Sequence, residues 1–169
     1  MREEYEMICR KYYKQIYLFL LKLCKKSDLA EELTQETFYQ AILSLDRFSG
    51  NSDIFTYLAA IAKHTYYKYL RKNKNSLDSI SIDDIISTPE STETDPLYLC
   101  EKACEELTVR NAVEKLPKKY RDAVLYRIYA DMSFKQVADA MGITENSAKM
   151  LFSRAKKKLM EVLKNEHDL

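Results

Sequence analysis

SFKQVADAMGITENSAKMLFSRAKKK, Ser133 to Lys158, reads as two helices held together by a tight turn. Ser133 and Gln136 have the spacing at which a cap hydroxyl and a Gln side chain satisfy each other's backbone amides. Val137, Ala138 and Met141 then share one face of a short helix. Gly142 suits the left-handed residue that ends such a helix, Ile143 packs under the turn, and Thr144 caps the second helix. That second helix is expected from Glu145 to about Lys164, roughly 30 Å long. Ala148, Leu151, Phe152, Ala155, Leu159 and Leu163 face inward, leaving Asn146, Ser147, Lys149, Met150, Ser153, Arg154 and Lys157 outside. Lys149, Arg154, Lys156, Lys157 and Lys158 crowd this helix, with the carboxylate of Glu161 nearby.

Outward from this pair the chain reads as helix. Its 169 residues include two Gly, three Pro and no Trp, too few turn-makers for many strand connections. The expected class is all-α: an N-terminal helical bundle over residues 1–74, an acidic linker over 75–96, and a C-terminal four-helix domain over 97–169. Helix one is expected from Glu3 to Lys25, with Tyr5, Ile8, Tyr12, Ile16, Phe19, Leu20 and Leu23 inside. Ser27 or Asp28 caps a second helix running to about Arg47, with Leu29, Leu33, Phe38, Ala41, Ile42 and Leu45 as its apolar positions. Ser49 to Ser52 reads as a loop. A third helix from Asp53 to Lys72 turns Phe55, Leu58, Ile61, Ala62 and Thr65 inward. Asp95-Pro96 opens a helix carrying Leu97, Leu99, Leu107, Val113 and Leu116, with a break near Thr108. Pro117 starts another through Tyr129, with Tyr120, Val124, Leu125 and Ile128 inside.

Charge is segregated. The net formal charge of +1 divides into −1 over residues 1–53, +5 over 54–74, −8 over 75–106 and +5 over 107–169. Two basic blocks flank an acidic one, so parts of the chain suit a polyanion better than the whole does. The stretch Asn75 to Asp95 is rich in Ser, Thr and Asp and reads as a linker, although Ile80, Ile82, Ile85 and Ile86 keep it from being a purely solvating tail. No apolar run approaches the roughly 20 residues of a membrane span, and MREEYEMICRKYY lacks the apolar core of a signal peptide. The chain is therefore expected in the cytoplasm, without membrane insertion. Cys9, Cys24, Cys100 and Cys104 show no paired CxxC spacing, and His64 and His167 are far apart in sequence. Although Cys100 and Cys104 lie one helical turn apart, all four cysteines read as reduced, semi-buried side chains. No metal, cofactor or catalytic residue is expected, as no phosphate-cradling glycine loop or nucleophile elbow is present.

The C-terminal pair has the pattern of a helix-turn-helix DNA reader. Its second helix fits a major groove about 12 Å wide. Arg154 is suited to a forked bond with a guanine edge and Asn146 to adenine, whereas Lys156, Lys157 and Lys158 suit phosphates. The upstream block, IFTYLAAIAKHTYYKYLRKNK, alternates Lys63, Lys68, Arg71, Lys72 and Lys74 with Phe55, Tyr57, Tyr66, Tyr67 and Tyr69. Rings that stack on unpaired bases beside cations that follow a backbone are the chemistry of single-strand binding, although several of these rings also suit a core.

Both blocks, in this order, resemble the extracytoplasmic-function group of bacterial RNA polymerase sigma factors. Asp28 to Gly50, with Leu33-Thr34-Gln35-Glu36-Thr37-Phe38 as a core-polymerase signature, is similar to that family's region two and continues through Tyr57 to Lys72. Leu116 to Leu159 is similar to region four. The resemblance implies contact with core RNA polymerase through Asp28, Glu32, Leu33, Gln35, Glu36 and Phe38. It implies recognition of a melted minus-10 element by Asn51, Lys63, His64, Tyr67 and Arg71. It implies reading of a duplex minus-35 element by Lys135, Glu145, Asn146, Ser147, Lys149, Met150, Ser153, Arg154 and Lys157. It further implies a linker threading the polymerase and a restraining anti-sigma factor, often membrane-anchored. The sequence departs from the family at Tyr57, where Trp is usual, at His64 for Asn, at Lys68 for Asp, and at Asn146-Ser147-Ala148 for Gly-Thr-Val. An alternative is a helix-turn-helix regulator that binds duplex DNA without being a polymerase subunit. The Asp28–Phe38 stretch and the aromatic-basic helix argue against it.

Overall fold

A computed structural model of the chain describes residues 2–74 and 96–168, and every regular element among them is helical. The chain divides into two units, Met1–Ile80 and Ser81–Leu169. The first contains α1 (Arg2–Cys24), α2 (Ser27–Ser44) and α3 (Ile54–Lys72). The second contains α4 (Pro96–Glu114), α5 (Lys118–Val124), α6 (Phe134–Met141) and α7 (Glu145–His167). The expected acidic linker, Pro96 apart, lies outside the described residues.

In the N-terminal unit, Lys25 takes a left-handed φ of 58°, which closes α1 and starts α2 one residue early. Lys26, in extended conformation and making no side-chain cap bond, therefore occupies the cap position expected for Ser27 or Asp28. At its other end α2 stops at Ser44 and gives way to a single 3₁₀ turn, Leu45–Arg47, rather than continuing as α-helix. The Asp53 carboxylate accepts the Thr56 amide at 2.7 Å and caps α3. Tyr12 of α1 stacks on Phe55 of α3 at 6.4 Å, and the Tyr66 hydroxyl donates to the Leu23 carbonyl at 3.2 Å. Both pairs are 43 residues apart, so α1 and α3 run side by side in the same direction.

Ile16, Phe19, Leu20, Leu23, Ala30, Leu33, Phe38, Ala41, Leu58, Ala59, Ala62 and Tyr66 form this unit's core. Thr34 and Thr37 are also buried, and their hydroxyls donate to the carbonyls of Ala30 and Leu33, one turn back. Ile42, expected inside, is 45% exposed, because Ala41 takes the buried position near the end of α2.

In the C-terminal unit α4 is continuous. The expected break at Thr108 does not occur, because that hydroxyl bonds the Cys104 carbonyl at 2.9 Å without interrupting the helix. The helix expected from Pro117 to Tyr129 changes character at Leu125 and finishes as a π turn through Tyr129. A π turn holds an extra residue, so the face that buries Val124 and Leu125 rotates away before Ile128. Ile128, expected inside, is 51% exposed, whereas Met132 beyond the turn is fully buried. Burial pushes the Tyr126 hydroxyl above the usual range, with the Asp122 carboxylate adding to the effect. The last helix outruns its expected end and reaches His167, where Glu166 pairs with Lys115.

Asp131, just after the π turn, is left-handed at φ 53° and exposed. That conformation costs an L-residue about 1–2 kcal/mol, against roughly 0.5–1 kcal/mol of extra unfolded-chain freedom for glycine. Asp131→Gly is therefore expected to stabilise the chain by about 0.5–1 kcal/mol, read as a higher urea midpoint at unchanged slope.

Candidate nucleic-acid and protein interfaces

The helix pair of the C-terminal unit is built from its caps. Ser133 Oγ accepts the Gln136 amide at 3.2 Å, and Gln136 Oε1 accepts the Ser133 amide at 2.9 Å. Gly142 closes α6 at φ 67°, and the Ile143 amide reaches back to the Ala138 carbonyl at 3.0 Å. Thr144 Oγ1 accepts the Ser147 amide at 3.2 Å and donates to Ser147 Oγ at 2.8 Å. Ala148 and Ala155 are buried, and small residues there let α7 lie close to its neighbours.

Lys135, Glu145, Asn146, Ser147, Lys149, Met150, Ser153, Arg154 and Lys157 are all exposed. Eight of them recur at three- and four-residue steps along one side of α7. The side is not uniformly loose. Glu145 pairs with Lys149 at 3.4 Å, an exposed contact worth about 0.3–0.5 kcal/mol. Lys156 lies 5.3 Å above the Phe152 ring and Lys158 lies 5.9 Å from the Tyr120 ring, so both stems are drawn back over aromatic surface. Phe134 meets Phe152 edge to face at 5.8 Å, and Arg127 lies 4.6 Å over Phe134. Sequence reading assigned neither Phe134 nor Arg127. The available signal was an aromatic residue placed directly after the cap Ser133.

On α3, His64, Lys68, Arg71 and Lys72 are exposed or nearly so at the helix's outer side, with Lys63, Tyr67 and Tyr69 partly covered. Asn51 is exposed in the loop before the helix. The structure separates the aromatic residues of this block. Tyr66 is 1% exposed and belongs to the core, Phe55 is engaged with Tyr12, and Tyr57 packs on Phe48 at 4.8 Å and bonds Ser44. Tyr67 and Tyr69 keep part of their ring surface in solvent. Tyr67 stands edge-on to Tyr66 at 5.2 Å, so a core residue sets its ring plane.

The α2 residues divide likewise. Asp28, Glu32 and Gln35 are exposed, and Glu36 is half-buried with Gln40 bonded to it at 2.7 Å. Leu33 and Phe38, expected at a partner-contacting surface, are 4% and 5% exposed. Phe38 stacks on Tyr13 at 5.8 Å, and its carbonyl accepts the Tyr5 hydroxyl at 2.8 Å. Both residues are packed within the unit and place the helix. Sequence reading missed Tyr39 and Leu43, 56% and 61% exposed, which extend the outer face of Glu32 and Gln35. Their signal was a pair of large apolar residues four apart at polar-face positions. Among the described residues no cluster of His, Cys, Asp and Glu is arranged to hold a metal, and no helix is long and apolar enough to cross a membrane.

Comparison with known proteins places these faces in a family context. The description "Sigma-70 region 2" matches residues 8–76, and "Sigma-70, region 4" matches residues 106–159. The ECF RNA polymerase sigma factor SigM of Bacillus subtilis (strain 168) is 30% identical over 152 residues, 90% of this chain and 90% of that protein. RNA polymerase sigma factor YlaC of the same organism is 26% identical over 165 residues, 97% of this chain and 92% of that protein. The sigma factor RpoE, co-crystallised with the anti-sigma factor NepR from Bartonella quintana, has a similar fold. Its TM-score is 0.59 at 21% identity, over 96% of this chain and 98% of that one.

The burial pattern of α2 sets an expected outcome. Phe38→Ala lowers stability by about 3–5 kcal/mol, whereas Gln35→Ala shifts it by no more than roughly 0.5 kcal/mol. Denaturant titration of both variants checks this, and a small loss for Phe38→Ala would return that side chain to the surface set.

Proposed function

The chain belongs to the extracytoplasmic-function group of the sigma-70 family of RNA polymerase sigma factors, and from that premise we propose how its faces divide the work. It binds core RNA polymerase and directs initiation at particular promoters, a role that needs binding and no bond-making chemistry of its own. The supporting observation is the joint one. A capped helix presents an exposed polar and cationic side in the region-four match, and an aromatic-cationic helix lies in the region-two match.

In this reading α7 enters the major groove of the minus-35 duplex. Asn146, Met150, Ser153 and Arg154 meet base edges, while Lys135, Lys149 and Lys157 meet phosphates. Glu145 holds Lys149 in place, and the Thr144 cap fixes Ser147. The minus-10 strand, once parted, runs along α3. Tyr67 supplies a stacking plane, Lys63, His64 and Arg71 follow the backbone, and Asn51 contacts a base from the loop. The α2 face of Asp28, Glu32, Gln35 and Glu36, extended by Tyr39 and Leu43, docks on the polymerase. Acidic residues steer that encounter, and the exposed rings and aliphatics supply desolvated area.

An anti-sigma factor restrains the free chain by covering these same faces. We place the chain in the cytoplasm with its polymerase, tethered at the membrane only where such a partner is itself anchored. The rival reading, a duplex-binding regulator independent of polymerase, leaves the α2 face and the α3 block without a role.

Two outcomes are expected. Mixed with bacterial core polymerase and a promoter library, the purified chain yields transcripts from a defined subset of templates; binding to duplex DNA without directed transcripts would favour the rival. Arg154→Ala weakens promoter binding by about 1–3 kcal/mol and relaxes preference at one base pair. Equal weakening on every sequence would make Arg154 a phosphate contact.

A further inference from the structure

One closely knit polar contact of the C-terminal unit lies outside the expected reading surface. Arg127 sits in the π turn, on the element before the helix pair, and is half-buried. Its Nη1 donates to the Met132 carbonyl at 2.6 Å, a charge-assisted bond. Its guanidinium lies over Phe134 with the carbon 4.6 Å from the ring centroid. Met132 is also held from its other side, because its amide donates to the Tyr126 carbonyl at 3.1 Å. One side chain thus fixes the residue before the cap Ser133 and the residue after it. Phe134 passes that placement on through its edge-to-face contact with Phe152. Phe152 lies on α7 among Met150, Ser153 and Arg154, and Lys156 covers it at 5.3 Å.

Bonding the carbonyl from one edge while lying over the ring suits the planar guanidinium, since an ammonium has no face to lay on the ring. The segment also requires a clamp. A π turn followed by the left-handed Asp131 gives two consecutive departures from regular backbone directly before α6. With its amide bonded to Tyr126 and its carbonyl to Arg127, Met132 fixes with the caps the direction in which α6 leaves.

We propose that Arg127 is a positioning residue for minus-35 reading, which sets the angle of α6 and α7 to the groove by clamping Met132 and Phe134 without touching DNA. The inference rests on the minus-35 role of α7. It differs from that role in predicting that a residue outside the helix pair governs specific binding more than non-specific binding. Base contacts tolerate little misplacement, whereas phosphate attraction is long-ranged and forgiving.

The test uses the full chain assembled with core polymerase, on a promoter selected by that holoenzyme and on the same promoter with its minus-35 element scrambled. Arg127→Met keeps the stem and loses the donors; Arg127→Lys keeps the charge and loses the fork. The expected result for both is about a tenfold loss of affinity for the selected promoter, the cost of spoiling roughly one base contact. Affinity for the scrambled promoter should stay within about twofold and the salt slope should be unchanged. Hydrogen exchange on the free variants should show faster exchange at Ser133 to Thr144, with α3 unaffected.

Unchanged affinity for the selected promoter in both variants overturns the proposal. So does a parallel loss on both promoters that tracks the unfolded fraction, because Arg127 would then only hold the unit together. Arg154→Ala serves as the companion measurement. If Arg154→Ala discriminates between the promoters and the Arg127 variants do not, the positioning role fails while the minus-35 reading stands. If the unaltered holoenzyme itself binds both promoters alike, the minus-35 reading falls and takes the inference with it.

Discussion

Gly142 holds φ at 67°, a backbone setting that a Cβ would strain, and from there the chain turns directly into the Thr144 cap. Between the end of α6 and the start of α7 there is room for only three residues, so the angle between the two helices is set by one left-handed residue and one hydroxyl cap. The rest of the C-terminal unit answers to that angle. Ala148 and Ala155 can be fully buried because α7 approaches its neighbours closely, and Phe134 can reach Phe152 because α6 crosses it where it does. A polar side facing water is the remainder once those contacts are satisfied.

The N-terminal unit solves a different problem. α2 must be a core element and keep a broad face in solvent within 18 residues. It does so by alternating roles along the sequence. Leu33, Thr34, Thr37 and Phe38 go inward, with both threonine hydroxyls turned back on their own helix, while Gln35 stays outside and Glu36 half-outside. The signature Leu33-Thr34-Gln35-Glu36-Thr37-Phe38 is therefore mostly a packing signature. The side chains of this helix that stay in solvent stand beside it, among them Asp28, Glu32, Tyr39 and Leu43.

This explains which parts could be read from sequence. Caps and periodicity are local, and Ser133, Gln136, Gly142 and Thr144 behave as their spacing predicts. The outer side of α7 was legible for the same reason, since a regular helix separates faces by arithmetic. Ile128 was misplaced because a π turn breaks that arithmetic, and nothing in LYRIY announces the extra residue. Ser27 was misplaced as a cap because Lys25, a residue with no special liking for the left-handed region, took the turn first. Leu33 and Phe38 show a further limit. Resemblance to a binding motif marks a segment, and only the packed structure tells which of its side chains face out. Arg127 was invisible because its partners, a carbonyl and a ring, come together only after the chain has turned twice.

Running α1 and α3 in the same direction brings two helix C-termini to one end of the bundle, each equivalent to roughly half a negative charge. Lys22 stands in the last turn of the first helix, and Arg71 and Lys72 in the last turn of the third. These cations are thus partly neutralised by the peptide dipoles beneath them before any polyanion arrives. The field that the α3 block projects outward is smaller than its formal charge suggests, and its terminal residues set helix stability and outward charge together. Selection on either property at Arg71 or Lys72 therefore acts on both.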